Sequence, residues 1–208
     1  MSEPVIVEHG KSRQPGQWPA LLKKIVSIIR QHDASRWLVV SPGSWGGPKG
    51  YKSFQRIESP RIIYGAHMYA PHRFTHQGIR NITIGEKHPG RIGFKHWNKE
   101  SLKNALAPLH EFQRKWGAPV IIGEFGAVRW AEGGEQYIQD LAAIFNDLDW
   151  SWLYFSGTGW HGWNPNYNQE PPSKGRLGSH KESFVGTTST RWETLRKIFT
   201  QKSDGTFE

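Results

Sequence analysis

The 208-residue chain contains no cysteine, so neither disulfides nor thiolate metal sites contribute to its fold or chemistry. That absence does not identify a compartment. No run approaches the roughly 18 consecutive apolar residues that a membrane-spanning helix needs, and no membrane partner is expected. Glu3, Glu8 and Lys11 interrupt the first residues and leave no apolar stretch long enough for a signal peptide. No Gly-x-x-x-x-Gly-Lys loop is present to cradle a phosphate, and Gly43-Ser44-Trp45-Gly46 departs from the Gly-x-Ser-x-Gly elbow of serine hydrolases. Repeats, low-complexity tracts and convincing linkers are missing as well. Residues 1–208 are therefore read as a single domain, long enough to bury a sizeable core.

What the chain does have is positive charge and tryptophan. Its net charge of +9 would suit an anionic partner, but the basic residues are scattered as singles and pairs, such as Lys23-Lys24 and Arg196-Lys197. A solvated cationic surface is the plainer reading, and no nucleic-acid partner is expected. Eleven tryptophans are enough both to fill a core and to line a cleft, where flat aromatics stack on sugar rings or bases.

Periodicity predicts an alternation of strands and helices. Leu21, Leu22, Ile25, Val26, Ile28 and Ile29 recur at helical spacing over 17–30, with Pro19 suited to the first turn. Strands are expected at 36–40, at 61–66 running into His67-Met68-Tyr69, at 118–124 and at 150–155. Helices are expected at 99–116, opened by Asn98 as cap, at about 135–148, and from about Thr190 onward. Strand followed by helix, four times over, points to parallel strands joined by right-handed crossovers. Residues 164–189 form a polar, Pro/Gly/Ser-rich stretch that reads either as a loop bordering a site or as a mobile surface loop.

The most telling segment is Ala118-Pro-Val-Ile-Ile-Gly-Glu-Phe-Gly126. A β-branched run entering a glycine and then a carboxylate is how a buried parallel strand reads when its end delivers a charge to the sheet's rim. Glu124 is thus either a catalytic group or the cap of a turn. The other strand ends add Ser41 to Trp45, then His67, Tyr69, His72 and His76, then Ser156 to Trp163. His67, His72 and His76 lack the spacing of a metal site with an acidic partner, and no metal or cofactor is expected. A carboxylate amid tryptophan, tyrosine and histidine suits glycoside chemistry, in which two carboxyl groups flank the scissile bond.

His67-Met68-Tyr69, Phe74-Thr75-His76-Gln77-Gly78, Gly123-Glu124-Phe125-Gly126 and the segments Trp150 to Tyr154 and Trp160 to Trp163 occur in an order that resembles glycoside hydrolase family 5, the cellulase-type retaining β-glycanases. The resemblance implies an α/β fold of the (β/α)8 TIM-barrel type and an endo-β-1,4-glycan hydrolase acting on a β-linked polysaccharide or oligosaccharide. It implies Glu124 as nucleophile, with His67 and Tyr69 hydrogen-bonding around it. An aromatic at the end of the last strand floors the sugar cleft in the family, a role open here to Trp152, Phe155 or Trp160, and Trp45 is a further platform. The family's acid/base glutamate precedes a proline, which carries over to Glu3 in Ser2-Glu3-Pro4, with serine where the family has asparagine. The elements then correspond to strands five to eight alone. A truncated or half barrel is expected, with a second copy of the chain as one way to close it. A remnant that only binds carbohydrate is the alternative to an enzyme. Family members act outside the cytoplasm, so the resemblance implies a secreted or periplasmic protein.

Overall fold

The computed structural model describes residues 3, 6–8, 11–13, 16–157, 159–171 and 184–202. Two three-residue strands, β1 (Ile6–Glu8) and β2 (Lys11–Arg13), pair antiparallel at the start of the chain. Helix α1 (Trp18–His32) follows, with Pro19 in its first turn, where a missing N–H costs nothing. Next come β3 (Leu38–Val40), β4 (Ile62–Met68) and the single-turn α2 (His72–Thr75). A small antiparallel ribbon, β5 (Gly90–Ile92) with β6 (Lys95–Trp97), leads into α3 (Lys99–Trp116). Then β7 (Val120–Phe125), α4 (Gly134–Asp147), β8 (Ser151–Tyr154) and α5 (Thr190–Lys202) complete the order.

The predicted strand–helix alternation is present. Four strands form one sheet in the order β3-β4-β7-β8, and β3 lies parallel to β4 with Leu38, Val39 and Val40 opposite Ile62, Ile63 and Tyr64. At the start of α3 the Asn98 carbonyl Oδ1 accepts from the Ser101 N–H at 3.0 Å, the cap that the sequence predicts.

The chain divides into two compact units. The first draws on Met1–Met68, Asn104–Glu124 and Phe145–Leu153, and holds most of the four-stranded sheet. Its core joins Leu22 and Val26 of α1, Val40, Ile62, Tyr64 and Ala66 of β3 and β4, Leu106, Leu109 and Phe112 of α3, and Val120 and Ile122 of β7. The rings of Tyr51, Phe54, Tyr64 and Phe112 meet at 4.8–6.2 Å between centroids. The hydroxyl of Tyr51 donates to the Gly65 carbonyl at 2.7 Å, and burial holds that phenol well above its ordinary pKa. Buried Trp150 donates its indole N–H to Gln113 at 2.7 Å.

The second unit draws on Tyr69–Lys103, Phe125–Ile144 and Tyr154–Glu208. It is organised by paired polar groups as much as by apolar packing. His88 is buried against Asp140, Nε2 to Oδ2 at 2.8 Å, and lies edge-on to Tyr137. Fully buried Arg191 pairs with Glu135 at 3.2 Å and donates to the Ala127 carbonyl. A buried guanidinium is tolerated only with such partners.

Candidate active site

Three residues that the sequence singles out converge in the first unit. His67 is the sixth residue of β4, Glu124 the fifth of β7, and Glu3 comes from the start of the chain. Val120 and Ile122 are buried, which fixes β7 so that Glu124 reaches the end of the strand. His67 is only 8 % exposed, yet its Nδ1 lies 2.8 Å from Glu3 Oε1 and 3.7 Å from Glu124 Oε2. One oxygen of each carboxylate and the imidazole nitrogen all lie within 4.8 Å of one another. The resemblance assigns His67 to the nucleophile, whereas the short contact here runs to Glu3.

The backbone around the imidazole is fixed from the turn that follows β3. The N–H of His67 donates to the Gly46 carbonyl at 3.0 Å, and Gly46 follows Ser44 and Trp45 in a turn whose three residues have φ of 66°, 60° and 60°. Left-handed backbone is unfavourable for residues with a Cβ, and it persists where the surroundings over-determine it. The turn presents Trp45 as an exposed indole.

Two carboxylates within a few ångströms of each other, bridged by an imidazole, can divide acid and base work between them. The same donor set could accept a divalent cation, and it is the one such grouping found among the described residues.

Tyr69 and Trp160 belong to the second unit, in an aromatic group whose hub is Trp163. Trp163 lies 6.0 Å from Tyr69, 5.0 Å from His76, 6.1 Å from Phe155 and 4.9 Å from Trp160, centroid to centroid. Trp160 also packs edge-on against Trp130 at 5.8 Å. His72 and His76 stack at 3.9 Å between centroids. Trp163 closes the Trp160–Trp163 segment noted in the sequence but carries no role of its own there, although its place three residues after Trp160 is a usable signal. Its buried indole N–H has no hydrogen-bond partner among the described residues.

Trp152 lies against α4. It is the second residue of β8, and its indole N–H donates to Asn146 in the last turn of α4 at 3.1 Å. Asn146 precedes β8 in the chain, so this contact ties Trp152 to the start of its strand. Of the residues weighed for a cleft floor, Phe155 and Trp160 follow β8 and Trp152 does not.

Comparison with known proteins bears on what this arrangement does. The family model for cellulase (glycosyl hydrolase family 5) matches residues 3–168. The chain is similar to Endoglucanase C of Acetivibrio thermocellus, 27% identical over 173 residues, which is 69% of this chain and 49% of that protein. It thus spans about half the length of that relative. A hyperthermophilic endo-beta-1,4-glucanase solved in complex with substrate superposes with a TM-score of 0.65 at 24% identity, covering 75% of this chain and 50% of that one. Thermotoga maritima Cel5A superposes with TM-scores of 0.66 in its cellobiose complex and 0.65 in its mannotriose complex, at 22% and 21% identity. Those two overlaps cover 87% and 86% of this chain, and 55% and 54% of the solved ones.

Proposed function

The chain belongs to glycosyl hydrolase family 5, a family of the (β/α)8 barrel type, and from that membership we propose a retaining endo-β-1,4-glycanase in which Glu124 and Glu3 do the chemistry. The observation that carries the reading is the closeness of the two carboxylates, with oxygens within 4.8 Å of each other and His67 between them. Retaining enzymes hold their carboxyl groups about 5–5.5 Å apart, whereas inverting enzymes need about 6.5–9.5 Å to admit a water. The separation here leaves no such room.

Glu124 attacks the anomeric carbon while Glu3 gives its proton to the glycosidic oxygen, and the aglycone leaves. Water, deprotonated by Glu3, then hydrolyses the glycosyl ester and restores both groups. His67 keeps Glu3 beside the bond by its short hydrogen bond. Trp45 offers a stacking face for a sugar ring, and the Tyr69–Trp160–Trp163 group offers others. The substrate class is β-1,4-glucan, supported by the endoglucanase relatives, with mannan as a second candidate because Cel5A was solved with mannotriose. On this reading β3, β4, β7 and β8 are the last four strands of an eight-stranded barrel. The polymeric substrate puts the reaction outside the cytoplasm.

The test is reducing-sugar release from soluble β-glucan and mannan by the wild type, Glu124→Gln and Glu3→Gln. Activity should be lost with Glu124→Gln, and the first-formed product should retain the β configuration by proton NMR. Removing the acid/base should cost about 10²- to 10⁴-fold on unactivated glycan. An α-configured first product would sink the retaining assignment. A folded wild type that releases no sugar would sink the enzyme reading and leave a domain that binds carbohydrate.

A further inference from the structure

Spacing along the chain gives His67 no acidic partner, but the fold supplies two. Glu3 comes from 64 residues upstream, and Glu124 from β7, the strand next to β4 in the sheet. Zinc bonds histidine nitrogen and carboxylate oxygen at about 2.0–2.2 Å, so tetrahedral donors around one ion stand about 3.4 Å apart. The separations from His67 Nδ1, 2.8 Å to Glu3 Oε1 and 3.7 Å to Glu124 Oε2, fall on either side of that value. The ligand oxygens of the two carboxylates lie within 4.8 Å of each other, and the terminal torsion of a glutamate is soft enough to bring them closer. Much of the set is ordered before any ion arrives. His67 is nine-tenths buried and its N–H is held by the Gly46 carbonyl, while Glu124 rides on a strand anchored by buried Val120 and Ile122. Donors already in place lose little further freedom on binding. The side chains of Glu3 and Glu124 remain 34% and 25% exposed, so an ion reaches them from solvent.

We propose that Glu3, His67 and Glu124 form a binding site for a borderline divalent cation of the zinc type, with the remaining coordination position open to water. The imidazole selects zinc over magnesium and calcium, which prefer oxygen alone. As ligands the two carboxylates are ionised, and their charges balance one divalent ion. The binding stands on the geometry of the three side chains. Its consequence rests on the glycanase reading: an ion held by both carboxylates blocks nucleophilic attack and proton donation together, so zinc is a reversible inhibitor with which glycan competes.

The test titrates zinc chloride calorimetrically into the full chain, in a non-coordinating buffer without glycan. One ion per chain is expected, with magnesium giving no heat at the same concentration. Glu3→Gln and Glu124→Gln should each weaken zinc by more than the roughly 10- to 100-fold lost with a residue that merely supports a ligand. Both are isosteric changes at partly exposed side chains and should keep the circular dichroism of the wild type, so lost affinity reports the site. His76→Gln should leave the titration as it is. Zinc lost in that variant alone would move the site to the stacked His72–His76 pair and overturn the proposal. So would affinity unchanged in both glutamine variants, or no zinc bound at all. Inhibition is then measured on soluble β-glucan, and should be competitive and reversed by EDTA. Undiminished hydrolysis by the zinc-loaded protein would overturn the blocking role. A chain that binds zinc through these residues yet releases no sugar in its absence sinks the glycanase reading and leaves the cation site standing.

Discussion

His76 shows how one side chain's protonation is set by its neighbours. The hydroxyl of Thr75 has a single proton, and its geometry to the Tyr69 carbonyl, 2.8 Å away, assigns that proton there. The ring nitrogen Nδ1 of His76, 2.8 Å from the same hydroxyl oxygen, must then be the donor, which leaves Nε2 with a free lone pair. Burial, and then the stacked His72, lower His76 from 6.5 to about 3, and burial lowers His72 as well. The sign of the effect on stability follows. As pH falls through 6.5 the unfolded chain takes up a proton on His76 while the native protein resists until about 3, so stability declines across that window. The unfolding free energy should therefore fall between about pH 6.5 and 4, by up to about 1.4 kcal/mol per pH unit for one such group, and thermal midpoints should drop with it. In His76→Gln the drop should be shallower. Equal slopes in the two proteins would show that His76 is not the group responsible.

At the scale of elements, the long periodic segments were legible and the short ones were not. The apolar spacing of α1 and α3 marks both helices because a helix buries a stripe whatever its partner is. The Val120–Phe125 run marks β7 because a strand buried between helices has little choice of residue. Lys11-Ser12-Arg13 and Lys95-His96-Trp97 form strands only because a neighbouring segment pairs with them, and three residues are too few to show alternation. Glu124 and His67 stood out because they end such runs. Glu3 precedes the short apolar run Val5-Ile6-Val7 instead of ending one and could be noticed only through its proline, and its bond to His67 leaves no trace in either segment. The choice among Trp152, Phe155 and Trp160 stays open in the sequence because the period of two along β8 does not say which end of a strand a side chain serves. The glycine closing the Gly-Glu-Phe-Gly segment has a legible reason too. A Cβ at Gly126 would lie 2.7 Å from the Phe155 carbonyl oxygen, a backbone atom that cannot move without disturbing the bond from the Phe155 N–H to Phe125. Gly126→Ala should cost about 1–3 kcal/mol in denaturant unfolding. Gly123→Ala, whose Cβ would meet the His67 ring at an ordinary 3.6 Å, should cost clearly less. Equal losses would show that the Phe155 carbonyl yields.

For the whole molecule, the charge matters more to encounter than to fold. The 27 basic and 18 acidic residues leave +9, spread over the chain rather than gathered into one tract, so the field acts on any approaching polymer. On the proposed glycanase reading a neutral β-glucan gains nothing from that field, and the stacking face that exposed Trp45 would offer it is one that salt does not screen. An anionic glycan, such as carboxymethyl-substituted cellulose, is drawn in over a range set by the Debye length, about 10 Å at 0.1 M salt and about 3 Å at 1 M. The two substrates should therefore separate in a salt series. Raising ionic strength from about 0.05 to 0.5 M should lower kcat/KM severalfold on the carboxymethylated polymer while leaving it nearly flat on neutral β-glucan. A parallel decline on both would mean that salt acts on the protein's own fold or association, and the scattered charge would then carry no part in drawing substrate to the site.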